Sequence, residues 1–249
     1  SHHRLDLKID GQVALPCCGP EKNLAFHLNR IQLGNSMSDQ PASMFVPLYY
    51  AAEDLRTLIR NHPFSNVVTA AANGLVATST PLVFETEAKD EKRLIGHIAL
   101  RNAHSDQLVT VQPALAIFNG PNAYVSPRWY VDKPQVPTWN YLSAQVRGSL
   151  EPVMDGEGAR NILIRTITVM EKAAREPWRL EDAPAGMVDM LLPRIRAFRL
   201  HIESLEGAAK LSQAHPAADR LRVMRGLLAE SDASGREVAR IMAQSYKPD

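Results

Sequence analysis

Helical and alternating spacings of apolar residues divide the chain into short predicted elements, beginning with a helix and a β-hairpin. Apolar residues at helical spacing predict a helix over residues 51–61, and a proline follows its end. Residues 66–70 and 75–80 are rich in β-branched side chains, and the Asn73-Gly74 dipeptide between them is typical of a tight hairpin turn. The sequence therefore predicts two antiparallel strands directly after the first helix.

Further strands and helices are predicted along the rest of the chain. Four segments have strand-like patterns: residues 93–100, 114–118, 139–150 and 198–203. A helix is predicted over residues 156–174, and two apolar stripes predict short helices between about residues 215 and 245. The second of these is expected to open with a capping box formed by Ser234 and Glu237.

The order of these elements favours an α+β fold with a mainly antiparallel sheet. A doubly wound parallel sheet would need a helix after nearly every strand, and the early strands follow one another without helices. Closure of the sheet into a small barrel would remove its exposed edges. We therefore expect a barrel-like sheet with flanking helices and a C-terminal helical segment.

The patterned region is expected to form one domain over residues 44–249, because this length can bury one substantial core. Residues 1–43 mix Pro, Gly, Cys and Asn with little periodicity. We expect them to be a non-native or loosely attached extension, and a native extension is the alternative.

Composition and charge narrow the class of protein. The chain has 249 residues, is 45% hydrophobic and 22% charged, and carries a formal net charge of +1, so a nucleic-acid role would need a local basic patch. Cys17 and Cys18 are adjacent and imply no disulfide framework, and no apolar run approaches the length of a membrane helix. We expect a cytoplasmic protein without a membrane span.

The signatures of several enzyme classes are absent from the sequence, including GxGxxG, the P-loop, GxSxG, HExxH and CxxC. The first candidate site is therefore a polar cluster at the end of a predicted strand, where His97 is followed by Arg101 and Asn102. These side chains can meet a phosphate or the edge of a ring, and the alternative is that His97 is a hydrogen-bonded structural residue. No metal site is predicted, because His97 and His104 are seven residues apart and would face opposite sides of one strand.

Two further clusters combine polar and aromatic side chains. Residues 118–130 and 136–141 concentrate aromatic, hydroxyl and amide groups, which would suit a planar ligand or a small satellite core under a long loop. A predicted turn over residues 205–213 carries Lys210 and Gln213, and an exposed, solvated lysine is the structural alternative there.

Several short motifs in a fixed order carry a resemblance to a known family. They are Met44-Phe-Val-Pro47, His62-Pro-Phe64, Gly96-His97, Asn119-Gly-Pro121, Ala123-Tyr-Val-Ser-Pro127, Val136-Pro-Thr-Trp-Asn-Tyr141, Leu205-Glu-Gly207 and Lys210-Leu-Ser-Gln213. Each motif is weak alone, but the ordered string resembles the FMN-binding negative transcriptional regulator (PaiB-like) family of the FMN-binding split-barrel superfamily. The resemblance spans roughly residues 44 to 220.

The resemblance implies an FMN-binding split β-barrel that forms a homodimer with flavin sites at the subunit interface. On such a barrel Thr78, Ser79 and Arg101 would bind the flavin phosphate, since arginine can bind phosphate in a bidentate manner. The isoalloxazine ring would be held by Asn102, Ser126, Thr138 and Asn140, with Trp129 or Trp139 stacking nearby. The full set of cofactor-binding residues implied also includes His97, Lys210 and Gln213.

The sequence departs from the family pattern at two places. Residues 144–148 are Ala-Gln-Val-Arg-Gly where the family is expected to carry a histidine, and Ala214-His215 replaces an Asn and another polar residue. The pocket is therefore expected to differ in its ligand or to be partly degenerate.

Three functions are compatible with the resemblance. The family name implies negative regulation of transcription, in which the two C-terminal helices would contact DNA as a helix-turn-helix-like pair. A second function is a flavin-dependent oxidoreductase that exchanges electrons with a small substrate. The third is a haem-binding split-barrel enzyme of the piperazate synthase type, with His97 as axial ligand. The sequence does not decide between a regulator and an enzyme.

Overall fold

The structure is a computed structural model that describes residues 43–71, 74–131 and 135–245. The strands are β1 (Phe64–Ala71), β2 (Gly74–Pro81), β3 (Val83–Phe84), β4 (Arg93–Ala99), β5 (Gln112–Val125), β6 (Thr138–Val153) and β7 (Ile195–Lys210). The α-helices are α1 (Leu55–Asn61), α2 (Gly156–Met170), α3 (Met187–Leu191), α4 (Ala217–Glu230) and α5 (Ala233–Ser245). The predicted N-terminal extension lies outside the described residues except for Ser43.

All seven strands form one antiparallel sheet in the order β2-β1-β5-β6-β7-β4-β3. β1 and β2 are the predicted hairpin strands, and their ladder runs from Phe64 opposite Pro81 to Ala71 opposite Gly74. The long strands β5, β6 and β7 form the centre of the sheet. The expected α+β fold with a mainly antiparallel sheet is therefore confirmed.

The sheet curls so that β2 approaches β4 without a ladder between them in the described part of the chain. Thr80 Oγ1 donates to the carbonyl oxygen of His97 at 2.7 Å across this gap. Gly96 permits the approach, because a Cβ there would lie 2.5 Å from Cδ2 of Leu82. We call this line of contact the seam, and it is where the barrel is split.

Side chains on alternate positions fill the barrel. Val67, Phe118, Val146 and Phe198 face its interior, and Ile59 of α1 packs at one end. On the outer surface α2 covers β4, β6 and β7 with an apolar cluster that includes Ile95, Val153, Ala159, Ile162 and Ala197. The packing of α2 on one side leaves other parts of the outer surface to solvent.

The C-terminal helices α4 and α5 pack on the far end of β5. Val223, Leu227, Val238 and Met242 are buried there with Val125. The two helices thus confirm the predicted C-terminal helical segment. Among the described residues, no helix has both the length and the apolar character that crossing a membrane requires.

Three local expectations were wrong. Residues 118–125, expected to be rich in loops, continue β5 through a register shift between Asn119 and Asn122. The expected turn at residues 205–213 is largely strand, because β7 extends to Lys210.

The expected capping box at the start of α5 is also corrected. The hydroxyl of Ser234 binds the backbone N–H and carbonyl of Asn122 at 2.9 Å each, so it fastens the helix to β5. The carboxylate of Asp232 accepts from the backbone N–H of Gly235 at 2.9 Å instead.

Candidate functional site

The loop after β4 is tied to the β1–β2 hairpin by a chain of hydrogen bonds through the buried side chain of His104. Asn102 Nδ2 donates to Thr78 Oγ1 at 3.1 Å, and Thr78 Oγ1 lies 3.0 Å from His104 Nδ1. On the other side of the ring, His104 Nε2 lies 2.8 Å from Thr69 Oγ1. Burial lowers the pKa of His104, so the imidazole is neutral at pH 7. The structure thus brings two predicted site residues, Thr78 and Asn102, together through a histidine that was not predicted.

Ser79, His97 and Arg101 lie on or beside the outer face of the barrel, and we call them the seam residues. Ser79 is exposed and its Oγ donates to Asn66 Oδ1 at 2.7 Å. His97 points outward because the next residue, Ile98, faces the barrel interior. Arg101 is exposed in the turn after β4.

The seam residues include two groups without protein partners. The Nδ1 atom of His97 is buried and makes no hydrogen bond within the described residues. Burial lowers the pKa of this histidine, which keeps the ring neutral at pH 7. The guanidinium of Arg101 forms no hydrogen bond or ion pair with any residue that the structure describes. The seam therefore offers a ligand a free, exposed cation, and it holds an imidazole whose buried Nδ1 has no partner among the described residues.

A second group of predicted site residues lies where β6 begins and β7 ends. Lys210 Nζ donates to Thr138 Oγ1 at 2.6 Å and lies 5.8 Å from the ring centre of Tyr50. Asn140 is fully buried, and its Nδ2 donates to Ser212 Oγ at 2.9 Å. Ser212 adopts a φ of 60°, a left-handed conformation that this pairing helps to hold.

Two more residues of this group support the packing of the C-terminal helices. Ser126 is buried, and its Oγ accepts from the backbone N–H of Arg128 at 3.3 Å and from the Nε of Arg128 at 3.1 Å. Trp129 lies against Gly226 of α4, where a Cβ would clash with the indole ring. These side chains are engaged with the protein itself.

Trp139 and Gln213 are more accessible. Trp139 is 48% exposed, and its Nε1 donates to Asn122 Oδ1 at 3.2 Å. Gln213 holds its own turn, donating to the carbonyl of Ala209 at 2.5 Å and accepting from the backbone N–H of Leu211 at 2.6 Å. It also lines a cleft of about 680 Å³ between the residues before α1 and the C-terminal helices.

The structure does not bring the seam residues and the second group together. Thr138 begins the 16-residue strand β6 and Val153 ends it. Val153 lies opposite Ala197, which in turn lies opposite His97. The two groups therefore occupy opposite ends of β6 within one protomer.

Residues that depart from the family pattern also contact other side chains of the protein. Gln145 Oε1 accepts from Arg147 at 3.2 Å, and Arg147 lies 4.0 Å from Glu206. His215 stacks on Tyr130 with ring centres 4.7 Å apart.

Thr69 and His104 are the residues that sequence reasoning missed. The available signal was Thr69 itself. It is a polar residue two positions after Val67, on the same inward-facing side of the strand. Such a residue needs a buried partner, although the sequence does not show which one.

Residues 44–204 match a family model described as “Putative FMN-binding domain”. The match covers well over half of the chain. The chain belongs to this family. The suspected membership in the PaiB-like FMN-binding family is thereby confirmed, and the family is one of flavoproteins with a split-barrel fold.

Curated relatives agree with this assignment. The chain is 28% identical over 207 residues to “Protease synthase and sporulation protein PAI 2” of Bacillus subtilis, covering 82% of this chain and 99% of that protein. It is 27% identical over 234 residues to the uncharacterized protein AN0679 of Emericella nidulans, covering 76% of this chain and 91% of that protein.

A similar fold occurs in the FAD and haem binding protein from Mycobacterium smegmatis. Its TM-score is 0.51 with 17% sequence identity, covering 68% of this chain and 76% of that chain. This likeness shows the fold alone.

Proposed function

We propose that this protein binds FMN on the outer face of the barrel at the seam, as a homodimer, and acts as a PaiB-like negative regulator of transcription. The observation that carries the proposal is the pair of unpartnered groups at the seam, the ring of His97 and the guanidinium of Arg101. They occur in a chain of an FMN-binding family.

The seam residues fit the flavin phosphate better than the other predicted residues do. Arg101 is free to bind phosphate oxygens in a bidentate manner, and Ser79 is exposed on the outer face. Thr78 points to the interior, so it contributes by holding Asn102 and the loop that carries Arg101. When bound, FMN would supply reversible electron transfer, and the protein residues hold and orient it.

The second group would meet the flavin only from a partner subunit. Thr138, Trp139 and Lys210 lie at the opposite end of β6 from His97 and are partly accessible. A dimer in which this end of one protomer approaches the seam of the other would complete the predicted set. Asn140 and Ser126 would then support the packing beneath these residues.

The test is an FMN titration followed by absorption and by flavin fluorescence. Arg101→Ala is expected to weaken FMN binding about tenfold or more, because a charge-assisted hydrogen bond to phosphate is lost. Arg175→Ala removes an exposed arginine that belongs to neither group of predicted site residues and should leave binding unchanged. Wild-type affinity in Arg101→Ala, or in the double variant with Asn102→Ala, would refute the assignment.

Regulation would require contact with DNA, which the helix pair α4 and α5 would provide. This segment carries exposed arginines, among them Arg222, Arg225, Arg236 and Arg240, as the local basic patch that a nearly neutral chain needs. A mobility shift on the DNA upstream of the protein's own gene should weaken as salt increases. Absence of any shift, together with turnover of a small reductant, would favour the oxidoreductase function.

Haem is the second candidate cofactor, and one observation favours it. The neutral, unpaired ring of His97 is the state that an axial ligand of haem iron requires. Addition of haemin would then give a Soret band that His97→Ala abolishes. A flavin spectrum without a Soret band would exclude this candidate.

A further inference from the structure

A groove with charged residues at its rim lies between α1, β3 and α2. The groove has a volume of about 320 Å³, which is within the range of small-molecule sites. Pro63 and Val169 form its partly exposed apolar lining, and Leu82 and Phe84 are buried beneath it. Three cations and one carboxylate line its rim: Arg60, Arg165, Lys172 and Glu87.

Phe84 fixes two of the three cations. The guanidinium of Arg60 lies 4.9 Å from the centre of the phenyl ring, at cation–π distance. Arg165 Nε donates to the carbonyl oxygen of Phe84 at 3.0 Å, and its side chain is 21% exposed. Arg56 also lies over the ring, at 5.0 Å from its centre, so three guanidinium groups are held around one buried residue.

The positive charge of the groove is only partly neutralised. Arg165 pairs with Glu87 at 2.8 Å, whereas Arg60 and Lys172 form no ion pair with a described residue. The hydrogen bond from Arg165 lowers the pKa of Glu87, and the charges of Lys172 and Arg60 lower it further. All three cations therefore stabilise a negative charge at the position of this carboxylate. The side chain of Glu87 is 61% exposed. Because burial does not hold it in place, an anionic ligand could displace its carboxylate from Arg165.

We infer that this groove is a binding site for a small organic anion, whose apolar body lies on Pro63 and Val169 and whose carboxylate or phosphate group is met by Arg60, Arg165 and Lys172. The inference does not rest on flavin binding, because none of the seam residues lines the groove. Occupation would link α1 and α2, which approach the sheet from different sides of β3.

Phenyl phosphate is a suitable probe, because it joins an anionic group to an apolar ring. Isothermal titration of the full chain, in the absence and in the presence of FMN, should show the same binding, which weakens as salt increases. Arg60→Gln and Lys172→Gln should each weaken it about fivefold, as expected for one partly screened charge. Glu87→Gln should tighten it by a similar factor, because it removes the competing carboxylate.

Several controls make the outcome decisive. Arg194→Gln removes an exposed arginine that does not line the groove and should leave binding unchanged. Benzyl alcohol, which has the ring without the charge, should not bind measurably. The inference is overturned if Arg60→Gln binds as the wild type does, if benzyl alcohol binds as tightly, or if FMN competes with phenyl phosphate, which would make the groove part of the flavin site. Circular dichroism melts establish that each variant is folded.

Discussion

The hydrogen bonds around His104 determine which of its nitrogens carries the proton. Gln107 Oε1 can only accept, so Thr69 donates its hydroxyl proton there at 3.3 Å. His104 Nε2 must then donate to Thr69, and Nδ1 accepts from Thr78, which itself accepts from Asn102. Each side chain in this series of hydrogen bonds therefore has a defined role as donor or acceptor. Protonation of Nδ1 would leave the Thr78 hydroxyl proton without its buried acceptor, which agrees with the lowered pKa of His104.

His104→Ala is expected to lower the free energy of unfolding by about 2 to 3 kcal/mol, because Thr69 and Thr78 lose a buried partner. Urea denaturation at pH 7.5 measures this loss. Ser79→Ala, on the opposite face of the same strand as Thr78, is the control and should cost well under that amount.

The same residue makes stability depend on pH. The folded-state pKa of His104 lies below its ordinary value of 6.5, so the unfolded chain binds more protons as the pH falls below that value. Unfolding free energy should therefore decrease from pH 7.5 to pH 5.5, with part of the decrease also due to His62 and His97, whose pKa values burial lowers as well. His104→Ala should show a smaller decrease, and an unchanged pH dependence would contradict this assignment.

At the residue scale, the strand pattern was sufficient to predict that Thr78 and Ser79 point to opposite faces of the sheet. Neighbouring residues of a strand point to opposite faces, so the two hydroxyls were never able to bind one phosphate together. The burial of Asn140 was not predictable in this way, because it depends on Ser212 and on Met242 of α5, both distant in the chain.

At the scale of elements, the hairpin strands were predicted well from their own sequence. The full lengths of β5 and β7, which contain glycine or proline, were not. The hairpin depends on neighbouring residues, so its pattern was sufficient. β5 carries Gly120 and Pro121, which usually mark a turn, yet the strand continues because a bulge accommodates them. β7 passes through Gly207, where a side chain would collide with Leu55 and the backbone of Ser143. These glycines serve close packing, which no local pattern reveals.

Helix packing gives a prediction at Gly226. Alanine is the better helix former, yet Gly226→Ala should lower the free energy of unfolding by about 1 to 2 kcal/mol, because its methyl group would overlap Trp129. Gly156→Ala in α2 is a matched control, since a Cβ there would meet only Leu192 at 3.9 Å. Thermal unfolding of the two variants compares them directly. Equal melting temperatures would show that α4 shifts to admit the methyl group.

At the scale of the whole molecule, part of the outer surface has the character of an interface. Val68 on β1 and Leu115 and Ile117 on β5 alternate with interior residues, so they point outward. They belong to none of the three apolar clusters formed by the described residues. The same face borders Ser79, because Asn66 lies between Ser79 and Ile117 in the ladders. A second copy placed there would lie next to the proposed flavin site.

Ile117→Lys tests this arrangement, because a charge on the outward face disrupts association without entering the core. We expect the wild-type chain to run as a dimer in size-exclusion chromatography with light scattering, and Ile117→Lys to run as a monomer with weaker FMN binding. Ile164→Lys places the same charge on the exposed face of α2 and should remain dimeric. A monomeric Ile164→Lys beside a dimeric Ile117→Lys would move the interface to α2. Loss of the dimer without loss of FMN affinity would show that one protomer binds the flavin alone, which would remove Thr138, Trp139 and Lys210 from the site.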